Sequence, residues 1–125
     1  MNSHSILQQL TRQYPSRTII KNNDKNPTEI ICEIEPTNQH KEYSVAITII
    51  DQSVPHYHKK STETYEVLKG NLIVTIDGIT HSLNAGDSFV IRPNSVHWAT
   101  GHETWAKVSS KPGWTQTDHF TILSV

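Results

Sequence analysis

A single cysteine, Cys32, stands among the 125 residues. No intrachain disulfide can staple this chain, and its cysteine usage fits a reducing compartment. Cys32 lies in the apolar run Ile30-Ile31-Cys32 and reads as a buried structural thiol rather than a nucleophile. An excess of either charge is also missing: the formal net charge is −1, with acids and bases interspersed. Without a basic patch or a helix-turn-helix pattern, nucleic acid is not an expected partner. No apolar run approaches a membrane span, so no membrane partner is expected. Met1-Asn2-Ser3-His4-Ser5 lacks the cationic start of a signal peptide, and the apolar run after it is too short for one. The expectation is a cytoplasmic protein. Internal repeats and low-complexity tracts are lacking too.

What is present is one short strand pattern after another. Hydrophobic residues make up 34% of the chain, concentrated in those segments. A short helix is expected over 5–13, with Ile6, Leu7 and Leu10 on one face and Pro15 ending it. Strands are expected over 17–20, 29–35, 42–51, 54–58, 63–69, 72–76, 79–83, 88–91, 96–99, 105–109 and 120–123. Asp77-Gly78 signals a hairpin and Ala85-Gly86-Asp87 a turn. So many short strands with so little helix argue for an all-β sandwich or barrel, in one domain of ordinary size.

The chemistry gathers at His56-Tyr57-His58-Lys59-Lys60-Ser61-Thr62-Glu63, closed by Gly70. Strand side chains alternate, so His56 and His58 share a face while Tyr57 points away as a structural residue. Glu63, Tyr65 and Val67 share a face of the returning strand, so a carboxylate can join the two imidazoles. His97, in Arg92-Pro93-Asn94-Ser95-Val96-His97, is the candidate fourth donor.

His56-x-His58-x4-Glu63-x6-Gly70 resembles the first motif of the cupin superfamily, and Gly86-x5-Arg92-Pro93-Asn94-x2-His97 resembles the second. Ile50, Arg92, Asn94 and Gly101 depart from that pattern, standing where Gly, Pro, Gly and Asn are usual; none of them removes a ligand. The resemblance implies a jelly-roll barrel (a double-stranded β-helix) in a single domain over 1–125. Within it, 1–27 would be an N-terminal extension carrying the short helix, 28–110 the barrel core, and 111–125 a tail with the last strand.

Three imidazoles and one carboxylate leave an octahedral metal with two open positions. Zinc prefers four-coordinate sites, so iron or manganese is favoured, with zinc, nickel or copper as alternatives. What the resemblance implies is a metal-dependent enzyme acting on a small molecule, an oxygenase or isomerase; a non-catalytic ligand-binding or sensor cupin is the alternative. Tyr65 is the candidate catalytic and substrate-contacting phenol, Arg92 a candidate for an anionic substrate group, and Trp114 a lid, interface anchor or stacking residue. Asp118 and His119, adjacent on an extended tail, are expected to point oppositely and not to share a substrate. His4, His40 and His81 read as surface histidines. A homodimer is expected, paired through the strand edges at 29–35 and 42–50.

Overall fold

The computed structural model describes residues 1–122. Helix α1, Ser3–Gln13, opens the chain. The Asn2 side chain caps it, accepting from the Ser5 amide at 3.1 Å, and Pro15 stops it by disfavouring helical backbone at Tyr14. A helix this short is marginal alone. Burial of Ile6 and Leu10, four residues apart on one face, holds it to the sheet.

Ten strands follow: β1 Ile19–Lys21, β2 Glu29–Glu35, β3 Ser44–Gln52, β4 His56–Tyr57, β5 Thr62–Lys69, β6 Asn71–Ile76, β7 Ile79–Asn84, β8 Ser88–Ile91, β9 His97–Lys111 and β10 Phe120–Thr121. They form one antiparallel sheet curled into a jelly-roll barrel, with β9 as its spine, pairing with β3, β4, β5 and β6. The sheet takes in β1 and β10, so it reaches beyond the expected 28–110 core at both ends. Leu123 of the expected last strand lies outside the described residues.

Strand β9 replaces the two strands expected at 96–99 and 105–109. The polar stretch between them interrupts the hydrophobic pattern but not the ladder: Thr100 opposes Ile73 and Thr104 opposes Ile50. A bulge absorbs the irregularity, with Glu103 at φ 48°. A Cβ at Gly101 would collide with Thr104 and stand 3.0 Å from the Ile50 carbonyl oxygen, so the usual motif-closing Asn does not fit this bend. Asp77 and Gly78 have φ 48° and 82°, the tight hairpin their pairing favours.

Alternation sorts β2 and β3 between two cores. Ile30, Cys32, Ile47 and Ile49 pack with Trp105 beneath α1. Ile50 joins Tyr65, Val67, Leu72 and Val74 in the barrel interior. Because α1 covers the apolar face of β2, the alternate residues Glu29, Glu33 and Glu35 line the barrel cavity. Strand β3 is paired on both sides within the chain, and β1 covers the outer edge of β2 at Ile30, Ile31 and Cys32. No helix among the described residues is long and apolar enough to cross a membrane.

Candidate metal centre

His56 on β4 directly opposes His97 on β9, and Glu63 on β5 faces the same interior. The two motifs are tied together where the Asn94 amide donates to the His58 carbonyl oxygen at 2.6 Å. Asn94 sits at φ 70°, a left-handed backbone that Asn tolerates where a turn Gly is usual. His56, His58, Glu63 and His97 are all buried, and one ligand atom from each lies within 4.8 Å of the others.

Each imidazole is oriented from behind. Nδ1 of His56 donates to the Val54 carbonyl at 2.7 Å, Nδ1 of His58 to the Asp118 carbonyl at 2.7 Å, and Nδ1 of His97 to the Ser95 carbonyl at 2.9 Å. A carbonyl only accepts, so the Nδ1 atoms carry protons and the Nε2 atoms are left to face the interior, each with a lone pair whenever its ring is neutral. Nε2 of His58 and His97 lie 3.1 and 3.2 Å from Glu63 Oε1. Lone pairs facing a carboxylate at that range repel unless a proton or a cation sits between them. His58 Nε2, although that close, is buried without an aligned hydrogen bond. A donor set with its outer nitrogens anchored and its inner ones converging fits a divalent metal.

The electrostatics agree. Burial would raise the Glu63 pKa, but the His58 and His97 rings outweigh it and hold the carboxyl well below its usual range. Burial, reinforced by His97, pushes His56 down to about 3. His58 is lifted despite its burial, because Glu63 stabilises its charged form. Burial, with Glu63 and Glu29 nearby, pushes the Tyr65 phenol well up, so it stays protonated.

A cavity of about 180 Å³ opens beside the cluster, and Tyr65 and Trp114 both line it. Arg92 does not: its side chain is exposed just past the end of β8 and is absent from the cavity wall. Tyr57 points outward and stacks on Phe120. Cys32 is buried as a free thiol. Of the three surface histidines expected, His4 is exposed, whereas His40 and His81 are half-buried against Tyr43 and Phe89.

The tail holds the residues that sequence reasoning undervalued. A 3-10 turn, Gln116–Asp118, breaks the extended backbone, and Asp118 and His119 then both reach the first-motif histidines, Asp118 at His58 and His119 against His56. The buried Asp118 carboxylate accepts from the amides of Lys59 at 2.9 Å, Lys60 at 3.2 Å and Ser61 at 3.1 Å, clamping the first-motif loop. Burial alone would raise its pKa, but these amides bring it below the ordinary value. His119 stacks on His56 with ring centroids 4.4 Å apart, and its Nδ1 accepts from the Trp114 indole at 3.1 Å. Burial and the neighbouring His58 lower its pKa, so the ring is neutral, with its proton on Nε2. The spacing Trp114-x3-Asp118-His119 was the signal available in the sequence; a strand-based reading of it hid its use.

A curled antiparallel barrel with three imidazoles and a carboxylate converging inside it is the architecture of a cupin. Residues 47–106 match the Cupin domain family, and the chain carries a cupin domain. Over 47 residues it is 40% identical to quercetin 2,3-dioxygenase of Bacillus subtilis (strain 168), a stretch that is 38% of this chain and 14% of that enzyme. The chain thus spans a small part of the curated relative it matches. Among solved structures, it is similar to the nucleoside dehydratase Pac13 (TM-score 0.71, 13% identity, 83% of this chain and 84% of that one). A Streptomyces Pac13 variant was solved with uridine. KdgF from Halomonas sp. matches at TM-score 0.63 and 20% identity, over 72% of this chain and 85% of that one. An oxalate decarboxylase variant of Bacillus subtilis matches at 0.69 and 15%, over 82% and 30%.

Proposed function

We propose that the chain is a metal-dependent enzyme, an oxygenase or isomerase, acting on a small molecule at His56, His58, Glu63 and His97. The observation that carries this is the anchoring of all three Nδ1 atoms on backbone carbonyls, which aims their Nε2 atoms around Glu63 beside an open cavity. Uridine bound by Pac13 and the dioxygenase match over the motif region support a small-molecule ligand and enzymatic chemistry. A divalent metal, with iron or manganese favoured, would be held by these four residues and would supply Lewis acidity or a redox couple. The remaining work falls to the chain. Tyr65 donates a hydrogen bond to a substrate oxygen, Trp114 and His119 wall the cavity, and the apolar barrel interior behind Tyr65 excludes water. Elemental analysis of protein purified without chelator tests the centre: about one first-row metal per chain is expected, and protein without metal after loading sinks the proposal.

Tyr65→Phe removes only the hydroxyl and keeps the packing of the ring. Metal content should be unchanged, while affinity for the chelator 4-methylcatechol should weaken by about 0.5–1.5 kcal/mol. Identical affinities would make Tyr65 a packing residue. We also infer a homodimer, with pairing moved to the β1 edge because β3 is occupied and β1 covers β2 at Ile30, Ile31 and Cys32. Sedimentation should give about twice the 14.2 kDa chain mass, and a mass near 14.2 kDa at micromolar concentration counts against pairing.

A further inference from the structure

The cavity beside the proposed metal centre, on which this inference rests, has a one-sided charge. Glu29, Glu33 and Glu35 line it together with Glu63, and no lysine or arginine among the described residues does. All three wall carboxylates come from the inward face of β2. Glu35 is occupied at the rim, 3.4 Å from the Tyr43 hydroxyl and 3.9 Å from His40 Nε2. Glu29 accepts one bond, from Thr48 Oγ1 at 3.2 Å. Glu33 makes no side-chain hydrogen bond or ion pair among the described residues.

A second observation points to a ligand in the same space. Tyr65 is only 5% exposed, and its hydroxyl has no hydrogen-bond partner among the described residues. Register carries Tyr65 to Val108, Val108 to Ala46 and Ala46 to Glu33 across four neighbouring strands. The phenol and the Glu33 carboxylate therefore stand at one level of the barrel, on separate walls of the cavity. Burial also pushes Glu29 up to about 7, so the standing charge of this wall is carried by Glu33, and Glu29 adds its own when a counter-charge enters beside it.

We propose that the ligand of this site is an organic cation, bearing chelating oxygens at one end and an ammonium group at the other. The chelating oxygens go to the metal centre and accept from Tyr65; the ammonium group goes to Glu29 and Glu33. Charge balance supports the orientation. A divalent metal with the single Glu63 carboxylate keeps a net positive charge that draws anionic oxygens, while the β2 wall attracts a cationic tail. A phosphate or carboxylate tail would have to shed water against like charge, which selects against such molecules.

Three catechols that share one chelating end and differ in tail charge test this on zinc-loaded protein in oxygen-free buffer. Dopamine should bind about tenfold or more tighter than neutral 4-methylcatechol, and 3,4-dihydroxyphenylacetate more weakly than either. In the double variant Glu29→Gln, Glu33→Gln, the dopamine preference should collapse while 4-methylcatechol affinity and metal content hold, which also shows the fold intact. Equal affinities for the three in metal-loaded wild type, a preference for the anion, or a dopamine preference that survives in the double variant overturns the cation assignment alone. Failure to load metal overturns it together with the proposed centre.

Discussion

His58→Ala should leave the protein with less than about a tenth of the wild-type metal, whereas His81→Ala should retain all of it. His58 is buried, its Nδ1 is fixed on the Asp118 carbonyl, and its Nε2 is 3.1 Å from Glu63. Removing it deletes a donor and leaves that carbonyl without its partner. His81 packs on Phe89, on β7, outside the cluster, so its removal changes local packing only. The same contrast should appear in stability. A metal that binds only the folded chain stabilises it by about 4 kcal/mol at a thousandfold excess over Kd. Added metal should therefore raise the Tm of wild type and His81→Ala and leave His58→Ala nearly unmoved. Equal metal retention in the two variants would refute the ligand assignment.

The four donors were legible because they obey short-range rules. Alternation puts His56 and His58 on one face and brings Glu63 and Tyr65 inward together, and the barrel preserves both relations. What alternation leaves undetermined is which face of a strand turns inward. The apolar side of β2 is spent on α1, so the glutamates line the cavity, a fact that depends on where the helix docks. The sequence suggests two strands where β9 is one, because hydrophobicity lapses over its bend while the backbone ladder continues. The use of the tail was harder still. Asp118 meets Lys59, Lys60 and Ser61 across more than fifty residues of chain, and contacts of that kind leave no periodic trace. Arg92 stands in the second motif, where either an anion contact or a plain surface position fits the sequence; β8 ends at Ile91 and the Arg92 side chain is exposed.

Asp118→Ala should be as damaging to the centre as the loss of a ligand's anchor, although the residue lies outside the four donors. Its carboxylate satisfies three amides of the loop between His58 and Glu63. Its backbone carbonyl, held in place by that same clamp, receives Nδ1 of His58. Truncation leaves the amides of Lys59, Lys60 and Ser61 without their acceptor, at a cost of about 2–3 kcal/mol for charge-assisted bonds. In a chain of 125 residues this corresponds to a fall in Tm of roughly 10 °C. Metal affinity should drop about 10–100-fold, as when a group supporting a ligand is lost. Asp118→Asn separates charge from shape: it keeps one acceptor oxygen and should fall between wild type and Ala. The pH dependence has a definite sign. The folded pKa of Asp118 is depressed, so its stabilisation is present at neutral pH and is lost as pH falls through the folded value. The Tm gap between metal-free wild type and metal-free Asp118→Ala should therefore be widest near neutrality and narrow in acid. A gap that is absent at neutral pH, or that widens on acidification, would show that the loop holds His58 without the help of the tail.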